Sequence, residues 1–145
     1  MKLFFVTALL VIFGINTNAQ YLGFKGVTIQ ATTSLYIVND EPTSVNTEQV
    51  FAISFNDKVL THLVYLDGSV NESQIYQIEN ERSFITEGNT IYKFDAISGI
   101  SGNRYYYEFK IDNDGRLLSL KQTQPNRIDF TIYKGGITEL KTYQQ

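Results

Sequence analysis

The chain has 145 residues, no cysteine, one histidine and a net charge of −3, with acidic and basic side chains mixed along the sequence. This charge balance argues against nucleic acid as a partner and against a basic membrane-binding face. One histidine and no cysteine leave no zinc site of the usual ligands, so we expect neither a metal nor another cofactor.

The first nineteen residues have the features of a cleaved export signal. Lys2 supplies one positive charge, residues 3–15 form an apolar run without a charged side chain, and small residues follow at 17–19. The run is too short to span a bilayer comfortably, so a membrane anchor is the less favoured alternative. We expect cleavage before Gln20, no membrane span after that cleavage, and a location in the periplasm or outside the cell.

The expected mature chain, residues 20–145, is long enough for one domain with its own core. It lacks Lys2 and therefore carries 11 basic and 15 acidic side chains. An exported domain without disulfides must be held together by packing, and the ten Tyr and seven Phe of this segment can supply it. The absence of cysteine favours a bacterial envelope or secreted protein over a small eukaryotic secreted factor.

From residue 20 onward, short runs of alternating apolar and polar residues are separated by turn residues, a pattern that predicts strands joined as hairpins. The polar stretch 40–49 is the longest predicted loop, and residues 58–66 form the most apolar predicted strand. No helical period is sustained anywhere in the segment. Up to residue 97, the strands are predicted over residues 21–30, 34–38, 50–55, 58–66, 74–79, 83–86 and 90–97.

The stretch 104–143 contains the clearest hairpins. If residues 114–115 form a two-residue turn, Phe109 lies opposite Leu120 and Ile111 lies opposite Leu118, so that apolar residues share one face. A three-residue loop is also common, but it would shift the register by one residue and spoil this match. The hydrophobic pattern therefore favours the two-residue turn.

The final hairpin is predicted to turn at Lys134-Gly135-Gly136, because glycine suits the positive φ of a bulged turn. This turn would place Phe130 opposite Leu140. Ile128, Phe130 and Ile132 would then form the apolar face of the hairpin.

Together these patterns predict an all-β, single-domain fold of nine to eleven short antiparallel strands. Short connections require antiparallel neighbours, since parallel strands need long crossovers. So many strands in one small domain must close into an up-and-down β-barrel or a curved meander, or fold into a two-sheet β-sandwich. Consecutive hairpins favour the up-and-down arrangement.

His62 is the first candidate contact residue. Alternation places it on the same strand face as Leu60 and Val64, opposite to Leu63 and Tyr65. A general base needs a partner that orients it, and the neighbouring sequence offers none. A structural or exposed histidine is therefore favoured over a catalytic one.

Arg104 and Tyr106 are the other two candidates for contact with a ligand or a partner. Tyr106 points away from the apolar face of its strand and lies between Arg104 and Glu108. An exposed aromatic ring flanked by charges can stack on a sugar or anchor a protein. A neighbour across the strands, such as Thr123, could cover the ring instead.

Two stretches resemble catalytic or metal-binding motifs without matching them. Residues 98–103 lack the glycine spacing of a nucleophile elbow, and a calcium loop starting at Asp112 would need glutamate where Thr123 stands. We therefore predict no catalytic and no metal-binding residues. We read these stretches as a flexible loop and a hairpin turn.

The absence of paired catalytic residue types favours a non-catalytic exported domain that binds a small molecule or a protein of the cell envelope. A structural or assembly protein of the envelope is one alternative, with pairing through an exposed edge strand. A hydrolase acting through carboxylates is a further, less favoured alternative.

Overall fold

The computed structural model describes residues 24–142, which form eight antiparallel strands closed into one barrel. Neighbours in the sequence are neighbours in the sheet, and the last strand pairs with the first. The strands are β1 (Phe24–Val38), β2 (Glu41–Ser54), β3 (Val59–Leu66), β4 (Ser69–Thr86), β5 (Asn89–Ser98), β6 (Arg104–Ile111), β7 (Leu117–Thr123) and β8 (Phe130–Thr142).

The predicted up-and-down barrel is therefore confirmed, and the sandwich alternative is not what forms. The predicted signal at residues 1–19 and the start of the first predicted strand lie outside the described residues. Among the residues described, no helix is long and apolar enough to cross a membrane.

The strands are fewer and longer than predicted because bulges join segments that the sequence appears to separate. The pairing of β1 with β2 shifts between Ala31 and Thr33, and that of β4 with β5 shifts between Glu79 and Arg82. Asn80, inside the second bulge, has a positive φ of 56°. A bulge inserts an extra residue and bends the strand without ending it.

The predicted loop at residues 40–49 is wrong. Asn39 and Asp40 form a tight turn with φ values of 50° and 64°, and β2 begins immediately after it at Glu41. Residues 41–46 are exposed, which explains why they lack an apolar face. Pairing with β1, and not burial, makes this segment a strand.

The predicted hairpin at Lys134-Gly135-Gly136 is also wrong, since these residues lie inside β8 and pair with β1. Phe130 lies opposite Ile37 of β1 instead of Leu140. The buried residues here are Thr131 and Tyr133, on the face opposite to the predicted one. Ile128 lies outside the strand and is exposed.

Gly135 is present because β1 and β8 approach closely at this point. A Cβ atom built on Gly135 would lie 1.9 Å from the backbone oxygen of Gln30. The glycine therefore permits strand pairing and does not mark a turn.

The β6–β7 hairpin is close to its prediction. Phe109 lies opposite Leu120 as expected, and both side chains are fully buried. Ile111 pairs with Leu117 instead of Leu118, because the register shifts next to the turn. The turn is longer than two residues, with the Asp112 carboxylate accepting hydrogen bonds from the backbone N–H groups of Asp114 and Arg116.

The chain's own side chains occupy the barrel interior. Aromatic rings dominate it, with Phe94 stacked in parallel on Tyr107 at 5.2 Å and Tyr92 stacked on Phe109 at 4.7 Å. Eight strands enclose a space of the width that side chains can fill. The buried hydrophobic residues are Val27, Ile29, Ala31, Phe51, Ile53, Phe55, Leu60, Tyr76, Ile78, Tyr92, Phe94, Ala96, Tyr107, Phe109, Ile111, Leu120 and Tyr133.

Candidate functional site

The three candidate residues do not form one site. Arg104 and Tyr106 point outward from β6, whereas His62 points inward from β3 and is buried. The alternation that distinguishes the two faces was read correctly from the sequence. The wall of the barrel separates His62 from Arg104 and Tyr106.

His62 belongs to a polar cluster inside the barrel. Its Nε2 atom lies 2.6 Å from Oε1 of Gln49, and its ring stacks on Phe51 with a centroid distance of 4.2 Å. The amide nitrogen of Gln49 donates to Thr47 Oγ1 at 2.8 Å and to Ser34 Oγ at 3.4 Å. The amide oxygen is therefore the acceptor, so a neutral imidazole carries its proton on Nε2.

Burial lowers the pKa of His62 to about 4, because the charged imidazolium would lose its hydration in the interior. The ring is thus neutral at ordinary pH. Gln49 orients it, but Gln49 does not titrate and cannot stabilise a positive charge as a carboxylate would. The arrangement is that of a hydrogen-bonded core histidine.

Tyrosine and glutamine side chains continue this polar cluster across the interior. Gln122 donates from Nε2 to the hydroxyl of Tyr107 at 2.7 Å, and the Tyr133 hydroxyl donates to Gln122 Oε1 at 3.2 Å. Burial raises the pKa of both tyrosines, that of Tyr107 well above its usual value. Within the described part of the chain, no buried side-chain nitrogen or oxygen lacks a hydrogen-bond partner.

Arg104 connects two carboxylates on the outer wall. It donates to Asp95 Oδ2 at 2.8 Å and to Glu79 Oε2 at 3.0 Å. These hydrogen bonds, first that of Glu79 and then that of Asp95, raise the pKa of Arg104 further above its usual range. Asn80 also donates to Asp95, at 2.9 Å, so the site is a cross-strand ion-pair network centred on a largely buried carboxylate.

Tyr106 is covered by a residue that the sequence analysis missed. The guanidinium carbon of Arg127 lies 4.6 Å from the ring centroid, and two of its nitrogens donate to the Tyr106 hydroxyl at 3.0 and 2.7 Å. Arg127 reaches this position from the loop between β7 and β8, where its φ is 63°. Pro125 and Asn126 are typical turn residues and indicate a loop, but nothing in the sequence indicates where Arg127 points.

The outer wall has grooves, and two of them are formed by described residues near the candidate positions or across the β1–β3 strands. The groove beside Tyr106 has a volume of about 190 Å³, and charged side chains such as Lys93, Glu108 and Lys121 line it. The other, of about 360 Å³, crosses β1, β2 and β3 over small side chains that include Thr28 and Ala52. In the described residues, no three His, Asp or Glu side chains are grouped so that they could hold a metal ion.

Four carboxylates of the outer wall are engaged in ion pairs. Glu79 and Asp95 share Arg104, Glu108 lies 3.0 Å from Lys93, and Glu81 pairs with Lys58. A pair of acids that acts on a substrate must face an open cleft. The arrangement of these four residues is that of outer-wall ion pairs between strands.

A different feature stands out at one end of the barrel, the upper end, where the β1–β2 and β3–β4 turns and the β5–β6 and β7–β8 loops lie. Strand β2 pairs with β3 only from Gln49 to Ser54, so residues 41–48 pair with no strand of the described chain on that side, while residues 41–46 pair with β1 on the other. We call residues 41–48 the free β2 edge. The free β2 edge falls in the predicted loop at residues 40–49, because its exposed residues show no apolar alternation.

No protein-family model matches the chain, and no curated protein is similar enough to it to indicate a family. The fold alone therefore defines the class: an eight-stranded, antiparallel, up-and-down barrel with a filled interior. Any function must be argued from the surfaces of this barrel.

Proposed function

We propose that the protein is an exported, non-catalytic binding domain that docks a partner protein of the cell envelope through its outer surface. One observation carries the proposal: the interior, where a barrel would hold a small ligand, is occupied by the chain's own aromatic rings. Phe51, for example, contacts His62 at 4.2 Å and Tyr133 at 4.7 Å between ring centroids. A small ligand inside the barrel would have to displace such rings.

The distribution of exposed apolar side chains supports docking at the upper end. Large hydrophobic residues exposed in contiguous patches mark interaction surfaces on soluble proteins. Of the exposed large hydrophobic residues, those that lie toward the upper end are Val38, Val45, Leu66, Val70, Ile75, Ile100 and Ile128. Phe84, Ile85, Leu118 and Leu140 lie toward the other end.

Native mass spectrometry of the purified chain tests the choice between surface docking and an interior ligand. We expect the mass of the bare polypeptide, because the chain's own aromatic side chains occupy the interior. A small molecule that stays bound through gel filtration and is released only on unfolding would contradict the proposal.

Site-specific photo-crosslinking in the producing cell tests the docking itself. A photoreactive amino acid at Leu66 or Ile100, on the upper end, should give one discrete adduct with another protein. The same amino acid at Leu118, on the opposite end, is the matched control and should give none. Absence of adducts at all three positions, or adducts at Leu118 alone, would contradict docking at the upper end.

Export is the second part of the proposal, and the composition of residues 1–19 supports it. N-terminal sequencing of the protein purified from its own cells should begin at Gln20. Recovery of the chain from the cytosol with residues 1–19 still attached would contradict export.

An assembly role in the envelope is the second candidate, and the free β2 edge favours it. Exposed edges can join copies of a chain through backbone hydrogen bonds. Sedimentation of the purified chain distinguishes this candidate, since assembly by the edge predicts oligomers that grow with concentration.

A further inference from the structure

The free β2 edge presents backbone hydrogen-bonding groups that no strand of residues 24–142 pairs with. The tight turn at Asn39 and Asp40 makes Val38 and Glu41 the closing pair of the β1–β2 hairpin, and such a pair exchanges both of its hydrogen bonds. Alternation along β2 then directs the backbone groups of Pro42, Ser44 and Asn46 away from β1. Proline, which has no N–H to donate, occupies one of these outward positions, as expected at an edge.

We propose that the free β2 edge accepts an extended, positively charged segment of a partner protein, which adds a strand to the sheet beside residues 41–46. This inference rests on the proposed docking function and specifies its surface and the chemistry of its partner. Addition of a strand gives affinity through backbone hydrogen bonds, while side chains and charge select the partner.

The charge of the β1–β4 segment that carries the edge indicates a cationic partner. Between residues 26 and 81 the chain has eight acidic side chains and a single basic one, Lys58. Lys58 lies beyond the far end of β2, where it pairs with Glu81. Five acids in the upper parts of the β1–β2 and β3–β4 hairpins form no ion pair with any described residue, and they are Asp40, Glu41, Glu48, Asp67 and Glu72.

The same charges argue against a second copy of this chain as the occupant. Two β2 edges placed side by side would bring Glu41 and Glu48 of each copy against acidic neighbours, and like charges that face each other destabilise a sheet. Pro42 would remove a further donor from each copy. A cationic strand has charges opposite to those of the acids on the edge. It also supplies its own backbone N–H donors, so the missing N–H of Pro42 is not doubled.

The free β2 edge is also preorganised for binding. Strand β1 pairs with β2 on one side and with β8 on the other, and β8 pairs in turn with β7, so β2 is the edge strand of a continuous sheet at this end. The backbone N–H of Asn39 donates to Asp129 Oδ1 at 3.0 Å, which ties the β1–β2 turn to the β7–β8 loop. A surface that is ordered beforehand loses less conformational freedom when it binds.

Two synthetic peptides test the proposal against the chain comprising residues 20–145, labelled with nitrogen-15. One alternates Lys with Val or Thr, and the other replaces every Lys with Glu. We expect the Lys peptide to shift the amide resonances of Ser44 and Asn46, to slow their hydrogen exchange, and to lose affinity as salt is added. The Glu peptide should produce neither effect, and equal binding of both peptides would overturn the proposal.

A matched pair of variants tests the edge without altering the charge. Ser44→Pro removes the N–H group that points outward, and the pairing of this residue with Leu35 does not use that N–H. Ser44→Ala keeps the N–H group and is the control. We expect Ser44→Pro to weaken binding of the Lys peptide by on the order of fivefold or more, and Ser44→Ala to leave it unchanged. If both variants bind the Lys peptide with equal affinity and the peptide shifts amide resonances outside β2, the assignment of the binding site to the β2 edge is overturned.

The outcomes separate this inference from the proposed function. If Leu66 and Ile100 crosslink to a partner and Ser44→Pro leaves those adducts intact, docking stands and the edge assignment falls. If no position crosslinks, the docking function itself falls. A dimer that Ser44→Pro abolishes would make a second copy the occupant and overturn the choice of a cationic partner.

Discussion

At the scale of single residues, His62 shows how a polar group is accommodated inside an aromatic core. Its ring stacks on Phe51, and its one donor is satisfied by Gln49. The cost of the arrangement is that the ring must remain neutral. This requirement makes the stability of the barrel sensitive to acid.

His62 should reduce the stability of the protein as the pH falls. Because its pKa is about 4 in the folded chain and 6.5 in the reference state, the unfolded chain binds more protons between these values. The free energy of unfolding should fall by about 3 kcal/mol from this residue as the pH drops from above 6.5 to below 4. Urea denaturation at several pH values measures it.

The variant His62→Gln is the control, since glutamine can hydrogen bond to Gln49 and does not titrate. Carboxylates respond to acid in both proteins. The difference in unfolding free energy between the two proteins therefore reports the contribution of His62. A pH dependence that is the same in both proteins would contradict the assignment of a depressed pKa to His62.

At the scale of strands, two glycines that follow one another in β8 have opposite roles. Gly135 lies where a Cβ atom would meet the Gln30 backbone oxygen at 1.9 Å and the Ala31 Cα atom at 2.9 Å. A Cβ atom on Gly136 would meet nothing within 4 Å. Neither glycine is a turn residue, and the first is required by the pairing of β1 with β8.

Gly135→Ala should destabilise the barrel strongly, because the obstructing atoms are backbone and cannot rotate away. We expect a loss of roughly 3 kcal/mol or more in unfolding free energy. Gly136→Ala should change it little. Thermal or urea unfolding of the two variants gives the comparison, and equal effects would contradict the close approach of β1 and β8.

The β6–β7 hairpin allows a second matched test. Phe109 is fully buried and stacks on Tyr92, whereas Leu118 is 44% exposed beside the turn. Phe109→Ala should cost about 3–5 kcal/mol of unfolding free energy, and Leu118→Ala should cost much less. A similar cost for both would mean that the alternation of this hairpin has been assigned to the wrong faces.

The contrast between these elements explains what the sequence can predict. Alternation identified the buried face of β6 and the pairing of Phe109 with Leu120, because one face of that hairpin is buried and the other is not. It could not identify residues 41–48 as a strand, because their exposed position gives no apolar face. It misread Gly135 because the reason for that glycine lies in β1, more than a hundred residues earlier.

The candidate site was less predictable than the fold for the same reason. Side-chain partners come from distant strands, as when Arg104 bonds to Glu79 and Arg127 covers Tyr106. Local sequence showed that Arg104 and Tyr106 point outward. It contained no information on which residues would meet them there.

At the scale of the whole molecule, aromatic side chains occupy the interior of the barrel, and charge is distributed unevenly along the chain. Rings inside the barrel supply the packing that a domain without disulfides requires. Eight of the fifteen acidic side chains lie between residues 26 and 81, while nine of the eleven basic residues after the predicted signal lie from Arg82 onward. We therefore expect binding of a cationic partner to weaken as ionic strength rises.

The central claim is that the chain fills its own barrel, so that partners bind outside it. Nuclear Overhauser effects between aromatic rings in solution test this most directly. The account predicts effects from the ring of Phe51 to those of His62 and Tyr133, whose centroids lie 4.2 and 4.7 Å away. Rings that show no effects to one another, or effects to a retained non-protein molecule, would contradict it.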